Sequence, residues 1–320
     1  MRRSALLPAA LLACCWLLAA APTAPHAVHI CVRPQGDPPP GVLSAADFTV
    51  RLNGKEAPVL NARTPRDGQM ILVVLDLAGD MTDAQAAKDA LSAALETLPA
   101  STFVALLRAQ DGPTVLVNPT ADRAAIAQAI QAAPVTGKAG LLDSLASVET
   151  LAEGIASASN VRVATLYVTD SVVRNYREDF ANPVINSSDP HDLSRRFPEA
   201  LIADKMDKVE KSLAARETPL FIVHLRYRTS TLDAAYQGGL KRLAEETAGF
   251  SAFSASTAEI PAAIAKAFAA IVSQYTLTVG LPSRPPAALQ IHVATRPQAE
   301  AFGDIVYRAR LRIDKGKQQR

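Results

Sequence analysis

The stretch Met70-Ile71-Leu72-Val73-Val74-Leu75-Asp76-Leu77-Ala78-Gly79-Asp80-Met81 decides the fold. An unbroken apolar run from Ile71 to Leu75 ends in Asp76, the mark of a strand buried on both faces of a parallel sheet. Thr82 followed by Gln85 has capping-box spacing and predicts an Ala-rich amphipathic helix reaching toward Leu98.

Working toward the C-terminus, the same alternation recurs. Phe103–Leu107, Val115–Val117, Val161–Val168 and Leu220–Leu225 read as strands, and Val161–Val168 again ends in an acid, at Thr169-Asp170. Helical patterns cover Ala121–Ala132, Leu141–Gly154, Glu199–Arg216, Leu232–Ala248 and Glu259–Gln274. This order implies a doubly wound, Rossmann-like α/β fold: a mostly parallel sheet with helices on both faces.

Toward the N-terminus, Val28–Val32 and Phe48–Leu52 alternate in polarity, Asn53-Gly54 signals a turn, and Val59-Leu60 fits a partner strand. The chain ends in three more strand-like runs, Tyr275–Val279, Leu289–Val293 and Ile305–Ile313. These flanks are expected to pair into a small β-rich unit. The expected organisation is a signal peptide over residues 1–27, a β-rich segment over 28–68, the α/β domain over 69–274, and a β-rich segment with a basic tail over 275–320.

Arg2 and Arg3 precede an apolar run from Ala5 to Ala21, followed by small residues and prolines, as in an export signal. Leu12-Ala13-Cys14 resembles a lipoprotein box. Export to the periplasm or the medium is expected, with membrane contact only through this segment if it stays uncleaved or is lipidated. Cys14 and Cys15 fall inside the signal, leaving Cys31 as a lone thiol, so stability must come from packing. The 320 residues are 49% hydrophobic and carry a net charge of only +2. A large core is available, and nothing resembles the basic stripe of a nucleic-acid-binding protein.

Ligands of open α/β sheets sit beyond the carboxyl ends of the strands. Asp76, Asp80 and Asp170 converge there, and carboxylates at one edge suit a hard divalent cation such as Mg²⁺; helix capping and turn formation are the alternative uses of the same residues. The long polar segment from Ser171 to Pro198 leaves the same edge. It carries Arg174, Tyr176, Arg177, Phe180, Arg195 and Arg196, of the types enriched at interface hot spots. No catalytic set is legible: there is no Gly-x-Ser-x-Gly elbow at Ser171 and no phosphate loop, the five histidines lack metal-ligand spacing, and His224 in an apolar strand reads as a core histidine.

Asp76-Leu77-Ala78-Gly79-Asp80-Met81 resembles the Asp-x-Ser-x-Ser element of von Willebrand factor A domains. Lys138-Ala139-Gly140-Leu141-Leu142-Asp143-Ser144-Leu145 is similar to the later Gly-Thr-x-Leu-x-Asp-Ala-Leu stretch, and Leu166–Ser171 to the strand ending in Thr-Asp-Gly. The elements occur in the family's order, over roughly Met70–Gln274. Leu43–Phe48, Asn53-Gly54-Lys55 and Tyr275-Thr276-Leu277 further resemble a group of exported bacterial proteins described from acidobacteria that share this domain.

The departures bear on function. The family's metal-dependent adhesion motif shares ligation between two serines, a threonine and two aspartates. Here Asp76 and Asp170 match, whereas the hydroxyl positions are Ala78, Asp80 and Ala139, and Thr136 sits three residues too early to replace the threonine. The resemblance therefore implies a degenerate motif. Carboxylates in place of hydroxyls neutralise a bound cation and weaken its pull on a partner's acid. The expectation is an exported, non-enzymatic protein-interaction or adhesion-type module that uses the sheet edge without cofactor or metal, its protein partner unknown. The rival is a divalent-metal-dependent hydrolase or metal-dependent adhesion site using Asp76, Asp80 and Asp170. A ligand-free scaffold is the third reading.

Overall fold

The computed structural model describes residues 26–36, 41–176, 198–296 and 303–313. The expected signal segment lies outside them apart from its last two residues. The second of these, Ala27, already belongs to a strand and pairs with Gly280.

Strands β1 (Ala27–Pro34), β2 (Phe48–Leu52), β3 (Lys55–Ala57) and β4 (Val59–Arg63) come first. Next are β5 (Gln69–Asp76), β6 (Thr102–Arg108), β7 (Thr114–Thr120), β8 (Arg162–Thr169), β9 (Leu220–His224) and β10 (Phe250–Phe253), which form one sheet in the order β10-β9-β8-β5-β6-β7. Four of its five pairings are parallel; β7 runs antiparallel to β6. No helix separates these two strands, and a connection this short cannot make a parallel crossover. The reversal follows from a tight turn in which Asp111 (φ 58°) and Gly112 (φ 108°) both take left-handed backbone.

Helices α1 (Met81–Glu96), α2 (Arg123–Ala132), α3 (Leu141–Ala158), α4 (Pro198–Leu213), α5 (Thr231–Glu246) and α6 (Ile260–Val272) cover the sheet. Successive residues of β5 face opposite sides. Ile71, Val73 and Leu75 pack with α1, α2 and α6, whereas Leu72 and Val74 pack with α3, α4 and α5. Every residue of Ile71–Val74 is inaccessible to solvent, which explains the continuous apolar run.

One local expectation is corrected, and one strand is added. The N-cap of α1 is Asp80, whose carboxylate accepts from Thr82 and Asp83 N–H; Thr82 lies inside the first turn. An ionised cap also meets the positive end of the helix, which a threonine hydroxyl cannot match. The edge strand Phe250–Phe253 has too few residues to show a period in the sequence.

The flanks pair with each other, but the single run expected over Ile305–Ile313 is two strands that belong to different sheets. After β11 (Tyr275–Gly280), β12 (Ala288–Thr295), β13 (Ile305–Tyr307) and β14 (Arg310–Arg312), the sheets β13-β1-β11-β4 and β14-β12-β2-β3 are complete. They share one core that includes Val28, Ile30, Val50, Leu277, Leu289 and Leu311, so the two chain ends together build a β-sandwich. Asn53 (φ 50°) and Gly54 (φ 79°) form the turn between β2 and β3. Among the described residues no helix is long and apolar enough to cross a membrane.

Candidate functional site

From β5 the chain first builds outward to β6 and β7, then crosses back to β8, β9 and β10 on the other side. The strand order therefore reverses between β5 and β8, and Asp76 and Asp170 flank the crevice this leaves at the carboxyl edge.

Asp76 is fully buried. Its Oδ1 accepts the Gly140 N–H (2.8 Å) and its Oδ2 accepts the Thr169 hydroxyl (2.9 Å). Burial pushes its carboxyl up to about 6, against the lowering effect of these two donors. Behind it runs a line of hydroxyls. Thr169 Oγ1 lies 2.7 Å from Ser171 Oγ, Ser171 Oγ lies 2.7 Å from Tyr236 Oη, and Tyr236 Oη lies 3.5 Å from Tyr176 Oη. Thr169 has one hydroxyl proton; while Asp76 is ionised it goes to the carboxylate, and the other hydroxyls align behind it. Ser171 is itself buried, and His224 Nε2 meets its carbonyl oxygen (2.8 Å) rather than its hydroxyl. This is a structural network, not a nucleophile with its base, and His224 is the satisfied core histidine that its strand position suggested.

Asp170 accepts from Ala78 N–H (2.8 Å) and Gly79 N–H (2.7 Å), one to each oxygen. The approach is close: a Cβ on Gly79 would stand 2.9 Å from Asp170 Oδ2. Burial raises the Asp170 carboxyl above its ordinary value. Asp80 behaves differently, because its cap hydrogen bonds hold it below the usual carboxylate range. Its second oxygen lies 3.5 Å from the guanidinium of Arg226, which forms a 2.6 Å ion pair with the buried Asp83. The Lys138 turn is tied by Asp111, which accepts from Lys138 N–H (2.9 Å) and donates its own N–H to the Lys138 carbonyl (3.0 Å).

These turns enclose a cleft of about 410 Å³ bounded by Asp80, Lys138, Asp170, Asn175, Arg226 and Arg228. Lys138 and Arg228 make no side-chain hydrogen bond or ion pair among the described residues. Next in sequence to the cleft-lining Asp80 and Arg226, Met81 is 65% and Tyr227 is 48% exposed, and the Tyr227 ring meets that of Phe253.

Residues 71–171 match the family model described as the von Willebrand factor type A domain. The chain carries a von Willebrand factor A domain. No curated protein sequence matches it. Among solved structures it is similar to a von Willebrand factor type A protein from Catenulispora acidiphila, with 12% identity, coverage of 94% of this chain and 77% of that one, and a TM-score of 0.44. BatB from Bacteroides thetaiotaomicron gives 14% identity, coverage of 63% and 97%, and a TM-score of 0.39. Proximal thread matrix protein 1 from the mussel byssus gives 11% identity and a TM-score of 0.40; the match covers 63% of this chain but only 47% of the mussel chain.

The A domain's three sequence elements meet at the cleft, but their donors point elsewhere. Asp76 and Asp170 accept hydrogen bonds on both oxygens, Asp80 caps α1, and Ala78 and Ala139 offer no side-chain oxygen. Among the described residues no three His, Cys, Asp or Glu side chains are grouped to hold a metal ion. As arranged, the carboxylates of Asp76, Asp80 and Asp170 all accept hydrogen bonds from the chain's own donors.

Of the residues assigned to the loop after β8, Arg177, Phe180, Arg195 and Arg196 and the side chain of Arg174 lie outside the described residues. Tyr176 is corrected: it is 3% exposed, packs against Tyr236 and accepts the Leu142 N–H (3.2 Å), so it supports α3 instead of facing a partner. The sequence reading passed over Arg226-Tyr227-Arg228, which has no motif. The available signal was positional, since these residues follow the end of the apolar strand β9, by the same rule that selected Asp76 and Asp170.

Proposed function

We infer that this protein is an exported, non-enzymatic interaction module that engages a protein partner through the carboxyl edge of its A domain, without a bound metal. The observation that carries the reading is a pair of exposed side chains next in sequence to the cleft's lining. Met81 follows Asp80, Tyr227 follows Arg226, and the Asp80–Arg226 contact sets these two turns side by side. Methionine, tyrosine and arginine are the types enriched where interfaces concentrate their energy. The two aspartates at the crevice are already satisfied by the protein's own N–H and hydroxyl donors, which supports a metal-free edge. The Arg2-Arg3 start and the apolar run from Ala5 to Ala21 support export.

A photo-crosslinking residue placed at Tyr227 tests the surface, with Leu60, on the distant β4 and also exposed, as the control position. The same partner should be captured from Tyr227 with or without a chelator, and not from Leu60. Capture that disappears with the chelator, or is equal at both positions, contradicts the reading.

A further inference from the structure

At the opposite end of the main sheet, where its parallel strands begin, the β-sandwich rests on the A domain. The contact centres on the Glu217-Thr218 corner, just before β9. From the sandwich side, His29 N–H donates to Glu217 Oε2 (3.0 Å), and His29 Nδ1 lies 2.9 Å from the same oxygen. The buried Cys31 thiol donates to the Glu217 carbonyl at 3.6 Å. From the domain side, Glu153 Oε2 accepts the Glu217 N–H (2.9 Å), and Glu149 Oε2 accepts the Thr218 hydroxyl (2.8 Å). The corner is thus held by β1 on one side and by two carboxylates of α3 on the other. A cavity of about 210 Å³, lined by His29, Cys31, Glu153 and Glu217, opens over it.

Glu149 is the unusual member of this cluster. It is fully buried, with two hydroxyls as its donors: Thr218, on Oε2, and the buried Thr165. The charged and titratable groups around it are Glu153 on its own helix, Arg216 before the corner, and Tyr167 on β8. Arg216 is turned to Thr150 Oγ1 (2.9 Å). Around Glu217 and Cys31 stand Arg162, Arg308 and Arg63, and each directs guanidinium N–H groups to backbone carbonyls. Glu149 has no ion pair among the described residues.

We propose that the Glu217-Thr218 corner is an acid-closed latch between the β-sandwich and the A domain: a protonated Glu149 holds it shut, and an ionised Glu149 loosens it. Protonation makes the buried carboxyl neutral. Ionisation leaves a buried charge beside Glu153, relieved when the joint opens to water. Burial pushes the Glu149 carboxyl up to about 7, which places the exchange near neutrality. The folded value lies above the ordinary 4.5, so this group's stabilisation is complete below about pH 4.5 and is lost as pH rises from there through about 7.

Cys31 reports on the joint because its thiol is buried in it. In the full chain, maleimide alkylation of Cys31, read by peptide mass spectrometry, is compared between wild type and Glu149→Gln; thiol ionisation is common to both and cancels in the ratio. The ratio of wild-type to variant rates should rise about tenfold between about pH 6 and about pH 8.5, as the last part of the stabilisation is lost. Hydrogen exchange of the β1 amides in the wild type, corrected for intrinsic rates, should lose about tenfold protection over the same interval. Constant β1 protection overturns the latch even if Glu149→Gln fails to fold, and so does an alkylation ratio that does not change with pH.

Discussion

Gly140 is placed by two contacts at once. Its N–H donates to Asp76 Oδ1, and its α-carbon faces the Ala109 carbonyl so closely that a methyl group would run into the backbone. Backbone atoms cannot swing aside as a flexible side chain can, so Gly140→Ala should destabilise the protein by about 2–4 kcal/mol in urea unfolding. An unchanged midpoint would contradict the packing described for the edge. Asp76 makes a second residue-scale prediction. Its carboxyl titrates at about 6 in the fold against an ordinary 3.8, so its contribution is complete below about pH 4 and fades as pH rises through about 6. The stability difference between wild type and Asp76→Asn should shift against the wild type by on the order of 2–3 kcal/mol across that window; a difference independent of pH would show that the burial is offset. Both aspartates at the crevice were legible because a buried strand ending in an acid is a strong local signal. Tyr176 was misread because its surroundings in sequence are polar, whereas its ring is drawn inward by Tyr236 and the end of α3.

Helix ends explain how the sandwich is attached. Arg33 of β1 donates to the Ala248 and Gly249 carbonyls just past α5, and Arg308, between β13 and β14, donates to Leu213, Ala214 and Arg216 at the end of α4. Arg162 of β8 does the same beyond α6, donating to the Val272 and Gln274 carbonyls. Each guanidinium satisfies orphan carbonyls and meets the negative end of a helix. Arg308→Met, which keeps much of the stem but removes the donors, should lower stability by about 2–4 kcal/mol in chemical denaturation. A loss below about 0.5 kcal/mol would mean that water replaces those hydrogen bonds at no cost. The long helices were readable from their period of 3.6, and the buried strands from unbroken apolar runs. The arginine caps were not, because each joins residues remote in sequence, and no local pattern records a carbonyl waiting on another element.

The whole molecule joins its two ends. β1 pairs with β11 and β13, and β2 pairs with β12, so every N-terminal strand of the sandwich except β3 has a neighbour contributed by the C-terminal flank. Removing residues 275–320 should therefore leave Val28, Ile30 and Val50 without their facing core and produce an aggregating chain with no cooperative unfolding transition. A soluble, cooperatively folded truncation would show that the flanks are separable. The order of strands and helices made the α/β class and the strand-rich flanks visible in the sequence. The placement of the sandwich at the amino end of the sheet, away from the cleft, was not visible, because it depends on contacts between surfaces and not on patterns within segments.

The central claim, an A-domain edge that works without a metal, is tested most directly by calorimetric titration of Mg²⁺, Mn²⁺ and Ca²⁺ into the full chain, with Asp76→Ala as the control. The account predicts no saturable heat in either protein for any of the three ions. Stoichiometric binding that Asp76→Ala abolishes would contradict it and make the crevice a cation site.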